Sequence, residues 1–208
     1  TRRDFRSKRT LTKRFGVSQL TSKGKLKIRT IDDFTFSGVN LATVSLEALH
    51  HNSVDDLLAL ASGIAHLGFD PVLLKGDFKG AYRACPVLGA HSVYADILVS
   101  NPLDDNRRYV CTQRALPFGA VASVYGWERL GAALTAVLHW IGLPVLRYVD
   151  DLFMAVPTEL GELARSALER AITALGYTLA PDKTEGPTSC FTVLGVRLVI
   201  VDYLLTVM

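Results

Sequence analysis

The stretch that most constrains this chain is Leu146–Val156, Leu-Arg-Tyr-Val-Asp-Asp-Leu-Phe-Met-Ala-Val, where Asp150 and Asp151 interrupt a largely apolar run. Leu146–Val149 and Leu152–Val156, rich in β-branched and aromatic residues, each read as a short strand. The acid pair then falls in the turn of a tight hairpin, where aspartate tolerates the required backbone geometry. Burying one unpaired carboxylate is expensive, and a second beside it adds like-charge repulsion. An isolated Asp-Asp pair is usually an ordinary turn. Between two buried strands it calls for a cation.

A third acid stands in a similar setting. Pro71–Asp77 reads as a buried strand that finishes in a carboxylate, and residues 78–83 turn toward a short helix. If this strand pairs with the hairpin, Asp77, Asp150 and Asp151 converge on one sheet edge. Such a set suits hard divalent ions, most plausibly Mg²⁺, with two ions able to activate an attacking hydroxyl and stabilise a leaving oxygen.

The remaining segments predict a mixed architecture. Residues 1–24 are polar and basic and carry no clear pattern, and Lys25–Phe36 alternates like an exposed strand or hairpin. Ser53 caps a helix that ends at Gly68, with Asp55 and Asp56 in its first turn. Ser92–Val99 and Tyr109–Ala115 resemble a strand pair around a polar turn. Leu116-Pro117-Phe118-Gly119 breaks the chain. Ala120–Ile141 is apolar nearly all round, as expected of a buried helix. Pro157 and Thr158 open an amphipathic helix whose apolar face runs through Leu160, Leu163, Ala164, Ala167, Leu168, Ala171, Ile172 and Leu175, and Gly176 stops it. Phe191–Val201 is a final strand or hairpin. Without βαβ regularity, the class is α+β, an antiparallel sheet backed by helices.

Length and charge bound the function. At 208 residues the chain can form one or two compact units. Residues 1–29 hold 11 of the 23 basic residues and, in Asp4, 1 of the 20 acidic ones. A basic arm ahead of an acidic-centred body suits a polyanion gripped by the one and delivered to the other. Cys85, Cys111 and Cys190 have no zinc-ligand spacing and read as three buried, reduced thiols, which places the chain inside the cell, in cytoplasm or nucleus. No stretch reads as a signal peptide, so none is expected. The uncharged run Leu130–Leu146 is short, is broken by Gly142 and Pro144, and contains His139, so a core helix is expected and no membrane span. The apolar Val199–Val207 before Met208 reads as the edge of a piece of a longer product.

Three segments carry a family resemblance. Asp77-Phe78-Lys79-Gly80-Ala81-Tyr82, Leu116-Pro117-Phe118-Gly119 and Tyr148-Val149-Asp150-Asp151 resemble, in order and spacing, motifs A, B and C of the reverse transcriptase palm. Ile28–Phe34 with Asn40 looks like that family's fingers segment, Gly176-Tyr177 through Lys183-Thr184 like motif D, and Phe191–Val196 like motif E. The resemblance spans roughly residues 25–200 and implies a polymerase palm with a ferredoxin-like core and partial fingers. It divides the chain into a basic arm (1–24), part of the fingers (25–70), the palm (71–200) and the start of a downstream thumb (201–208).

It also implies roles. Asp77 and Asp150 would be the principal metal ligands, Asp151 the third acid, and the Phe78 carbonyl a further contact to metal. The ions would be two Mg²⁺, with Mn²⁺ as a substitute. Tyr82 would fall at the steric gate that favours deoxynucleotides. Arg29 would lie over the incoming triphosphate, assisted by Lys25 or Lys27, and Lys183 would protonate the departing pyrophosphate. Phe118 and Gly119 would border the nucleotide. Phe118 stands where retroviral enzymes carry glutamine, and Leu-Pro-Phe-Gly is similar to forms in some retrotransposons and pararetroviruses. The implied activity is RNA-directed DNA synthesis on an RNA or DNA template-primer with dNTP, with Arg107 and Arg108 as further backbone contacts. The rivals are an RNA-dependent RNA polymerase, disfavoured by Tyr82 and Val149, and a decayed palm that only binds nucleic acid, disfavoured by the intact acids.

Overall fold

Stretches of continuous apolar sequence and stretches of alternation sort into different parts of the fold. The chain is described by a computed structural model covering residues 10–20, 24–45, 47–101, 103–201 and 204–207. Residues 1–9 and 21–23 of the expected basic arm, and 202, 203 and 208 of the expected downstream segment, lie outside the described residues. In chain order the elements are β1 (Leu11–Leu20), β2 (Leu26–Asp33), α1 (Val54–His66), β3 (Pro71–Asp77), β4 (Asp96–Asn101), β5 (Arg107–Thr112), α2 (Val121–Trp140), β6 (Leu146–Tyr148), β7 (Asp151–Pro157), α3 (Gly161–Ala174), β8 (Glu185–Thr188), β9 (Cys190–Val193), β10 (Val196–Val201) and β11 (Leu204–Val207). Short 3-10 turns occupy Ala81–Ala84, Gly89–Tyr94 and Thr158–Leu160.

Two units divide these elements discontinuously. Thr1–Ala48 joins Tyr82–Trp127, and Leu49–Ala81 joins Glu128–Met208. The first unit is built on one sheet, ordered β2-β1-β4-β5. Here β1 pairs antiparallel with β2 from Leu20↔Leu26 to Lys13↔Asp33, and parallel with β4 from Leu11↔Asp96 to Lys13↔Leu98. The existence of β1 corrects the unassigned reading of residues 1–24. Its inward positions are polar, Thr12 buried and Arg14 half-buried, so no apolar alternation marks it. Arg14 finds its partner in the buried Asp32, which accepts Nε at 2.7 Å and Nη2 at 2.9 Å, with Gln113 Nε2 donating at 2.8 Å.

The second unit carries a sheet ordered β6-β7-β3-β8 and a smaller one ordered β11-β10-β9. Antiparallel β3 and β7 run in continuous register from Pro71↔Pro157 to Asp77↔Asp151. Successive side chains leave opposite faces of a strand. Leu73 of β3 with Phe153 and Ala155 of β7 therefore joins one core, with Leu57, Ala61 and Ile64 of α1 and Phe191, Val193 and Leu198 of β9–β10. The opposite face meets α3: Leu168 lies beside Gly76, and Val72 beside Gly161. Burial on both faces explains why β7 reads as an unbroken apolar run. The β9–β10 hairpin turns at Leu194 and Gly195, both at positive φ as a tight two-residue turn requires.

The helices bear out the capped start at Ser53, whose hydroxyl accepts from the Asp56 N–H while the Asp56 carboxylate accepts from the Ser53 N–H. Two expectations need correction. α2 is not buried all round: Ser123, Trp127, Gly131, Leu134 and Leu138 form its inner stripe, while Trp140 is 87% exposed. α3 buries only Gly161, Ala164, Leu168 and Ile172; Leu163 faces outward because the helical period turns it away from that stripe, and the exposed Leu160 belongs to the 3-10 turn ahead of the helix. The cysteines also differ from expectation. Cys85 is buried and Cys190 half-buried, but Cys111 is exposed on the edge strand β5; all three are free thiols.

Candidate active site

The three predicted acids lie where β3 ends and β7 begins. Asp77 closes β3 directly opposite Asp151, the first residue of β7. Asp150 precedes it in the two-residue turn Val149–Asp150 that joins β6 to β7, closed by the pair Tyr148↔Asp151. The Phe78 N–H donates to the Asp150 carbonyl at 3.2 Å, tying the end of β3 to the turn. The Phe78 ring is buried edge-on against Tyr177, 5.7 Å between centroids.

Lys183 arrives from the turn after α3. The Ala180 N–H donates to the Asp77 carbonyl at 2.8 Å and the Lys183 N–H to the Ala180 carbonyl at 3.0 Å. These bonds bring Lys183 Nζ to 2.5 Å from Asp77 Oδ2. Asp77, Phe78, Asp150, Asp151 and Lys183 are thus brought together in one unit.

The electrostatics are those of crowded acids. Burial, and then repulsion from Asp77, raises the Asp150 carboxyl above its ordinary range. Asp151 is raised by burial and by repulsion from Asp150 and Asp77. The hydrogen bond to Asp77 raises the Lys183 ammonium, so it remains charged. Among the described residues the cations acting on these three carboxylates are Lys183 and, at Asp151, Lys75 as well. The donor set is all hard oxygen, which fits a divalent ion such as Mg²⁺. Among the described residues, no group of three or more His, Cys, Asp or Glu side chains is already gathered around one point that could hold an ion, and Asp77 is engaged by Lys183.

The other predicted residues belong to the first unit. Arg29 is exposed on β2, paired with Val17 of β1. Tyr82 is half-buried, its ring 5.1 Å from Phe118 and 6.3 Å from Trp127. Gly119 has φ +94°, and a Cβ there would stand 2.5 Å from the Asp32 carbonyl oxygen. Glycine is required by that backbone approach. Asn40 spans the same loop: its Nδ2 donates to the Gly119 carbonyl at 2.9 Å, and its Oδ1 accepts from the Val121 N–H at 2.9 Å.

One feature escaped the sequence reading. Arg147, 5% exposed, hydrogen-bonds Glu128 through both terminal nitrogens, with Nη1 at 3.0 Å from Oε2. Nη1 also donates to the Val149 carbonyl at 2.9 Å. Asn52 clamps the Arg147 backbone on both sides: Oδ1 accepts its N–H and the Asn52 N–H donates to its carbonyl, each at 2.9 Å. His51 Nδ1 lies 3.4 Å from Glu128 Oε2 without hydrogen-bond geometry, and its ring packs on Tyr148. A Cβ on Gly131 would stand 2.8 Å from Arg147 Nη1, so α2 leaves room for the guanidinium. Val149 itself sits at φ +54°, a conformation costing a β-branched residue about 1–3 kcal/mol. A lone arginine in an apolar strand and a lone glutamate in an apolar helix were the available signals.

A scan against protein-family models gives no match, and no curated protein matches the chain in sequence. Solved structures do resemble it. The foamy viral protease-reverse transcriptase in complex with double-stranded DNA is 18% identical, with a TM-score of 0.65 over 88% of this chain and 28% of that one. A mutant of the Prototype Foamy Virus protease-reverse transcriptase is 18% identical, TM-score 0.64, over 88% and 22%. The foamy viral enzyme in complex with an RNA/DNA hybrid is 16% identical, TM-score 0.64, over 90% and 22%. The chain therefore spans about a quarter of the length of these enzymes. At such identities the likeness is one of fold: the chain has a reverse transcriptase-like fold of the α+β class. Among the described residues no helix is long and apolar enough to cross a membrane.

Proposed function

We propose that this chain is the palm and part of the fingers of a reverse transcriptase, joining a primer 3′-hydroxyl to the α-phosphate of a deoxynucleotide on an RNA or DNA template. The observation that carries the reading is the register that sets Asp77 opposite Asp151 with Asp150 in the adjoining turn. Asp77, Asp150 and the Phe78 carbonyl would hold the metal, with Asp151 as the third acid. Bound Mg²⁺ supplies the charge that lowers the hydroxyl pKa and stabilises the leaving oxygen.

The protein's own part is positioning and proton supply. Lys183 is charged and its side chain is more than half exposed, so its ammonium would serve as the proton donor to the leaving pyrophosphate, and Asp77, which it bonds here, would also be a ligand to the metal. Tyr82 gates the ribose 2′ position, with Phe118 against its ring. Arg29 meets the triphosphate as a planar fork, with Lys25 or Lys27 beside it. Gly119 bears on the nucleotide through the loop that Asn40 braces. With Phe118 in place of glutamine, the source is an element of the retrotransposon or pararetrovirus kind.

Primer extension on an RNA template with Mg²⁺ or Mn²⁺ tests this, comparing the unsubstituted chain with Asp150→Asn. Deoxynucleotide incorporation should fall at least about 100-fold in the variant, the order expected when several kcal/mol of metal-borne stabilisation is lost. Preferential ribonucleotide incorporation would point to an RNA polymerase. No incorporation by either protein, with template binding intact in both, would leave a binding module and reject the proposal.

A further inference from the structure

We propose that Arg147 is a positioning residue, which fixes through the Val149 carbonyl the turn that presents Asp150 and Asp151 to a divalent cation. This rests on the reading of the three acids as a metal site.

The argument begins with what a buried ion pair can and cannot do. Arg147 and Glu128 are both largely withdrawn from water. Such a pair adds little to stability that two apolar side chains of similar volume would not. Hydrocarbon cannot, however, donate to a backbone carbonyl. The guanidinium does so at Val149, the residue immediately before Asp150, while keeping both bonds to Glu128. Val149 holds a positive φ, and a turn of that kind persists only where its surroundings determine it.

The support extends one layer further. β6 is an edge strand of three residues, and Asn52 supplies on its free side the two backbone bonds a neighbouring strand would give at Arg147. Gly131 of α2 keeps the space the guanidinium fills. Strand, helix and preceding loop therefore meet at one residue, the loop on its backbone and the helix on its side chain, and that side chain holds the turn. Residues that orient metal ligands without touching metal typically change metal affinity 10–100-fold when replaced.

The test reads Mn²⁺ binding by the loss of the free-ion electron paramagnetic resonance signal, with thermal unfolding followed in parallel. Arg147→Met combined with Glu128→Leu removes the bond to Val149 without stranding a charge. Arg147→Lys keeps a charge opposite Glu128, but an ammonium cannot reproduce the planar fork. Both folded variants should bind Mn²⁺ about tenfold more weakly, with the double variant unfolding close to the unsubstituted chain. Affinity within about twofold in either folded variant, where Asp150→Asn abolishes binding, would overturn the positioning role and leave the metal site standing. Failure of both variants to fold would overturn it in favour of a purely structural arginine. No Mn²⁺ binding by the unsubstituted chain would remove the metal reading itself.

Discussion

Asp150 and Asp151 are held where their charge is disfavoured, and the sign of that effect sets how the site should respond to pH. Each carboxyl is raised above the ordinary 3.8. Groups raised on folding contribute stability that is fully present below the unfolded pKa and is lost as pH rises through the folded one. Near neutrality the acids therefore destabilise the metal-free fold. A divalent cation binds the ionised forms, so its affinity should climb by about tenfold per pH unit for each proton displaced, then level off above the raised values. Mn²⁺ titrations between about pH 4 and pH 8 measure this. An affinity already level just above the ordinary aspartate value would show that the acids are not perturbed in this way. The acid pair alone would have read as an ordinary turn; these carboxylates became legible because Asp77 ends a second apolar strand and the flanking motifs share one order and spacing. Lys183 on Asp77 was not legible as a contact, since 106 positions separate them and only the bonds through Ala180 bring them together.

Elements were readable where their own pattern decided them. β3 spans Pro71–Asp77 as expected, and α1 starts at the Ser53 cap, because each carries its signal within a few residues. β1 was hidden because its inward residues are polar and become reasonable only with Asp32 and Gln113 opposite Arg14. Likewise α2 looked buried all round because hydropathy counts Trp140 and Val137 as core, whereas tertiary packing leaves them exposed. The start of α2 carries a prediction of its own. Asn40 accepts from the first helical N–H at Val121 and donates to the Gly119 carbonyl, acting as a helix cap supplied from 81 residues away. Asn40→Ala should cost about 1–2 kcal/mol, the range for loss of a good cap, read as a lowered unfolding midpoint in denaturant. Asn40→Asp, which keeps the acceptor for Val121 but loses the donor to Gly119, should fall between the two. Equal stability of Asn40→Ala and the unsubstituted chain would show that water satisfies these groups as well.

Across the whole molecule the charge is divided unevenly. Residues 1–29 hold 11 basic residues against 1 acid, leaving 12 against 19 in the other 179. Not every cation in that segment is available to a polyanion, since Arg14 is committed to Asp32. Lys27 and Arg29 of β2 and Arg107 and Arg108 of β5 are exposed on strands of one sheet, with Lys13 of β1 between them in the strand order. By register Lys13, Lys27, Arg29 and Arg108 share one face of this sheet while Arg107 leaves the other, and exposed cations on one face are suited to phosphates spaced along a strand. Each phosphate neutralised releases a counterion and adds about 0.7–0.9 to the slope of log affinity against log salt. Replacing Lys27, Arg29 and Arg108 together with threonine preserves strand propensity and removes three charges. Fluorescence anisotropy with a labelled primer-template at several salt concentrations should then show the slope shallower by about 2–3 and the affinity weaker at every salt. Removing residues 1–9 in a second protein divides the effect between the sheet and the segment ahead of it. A slope unchanged by the threonine variant but reduced by the truncation would assign the phosphate contacts to the preceding segment, and the sheet cations would then serve solubility alone.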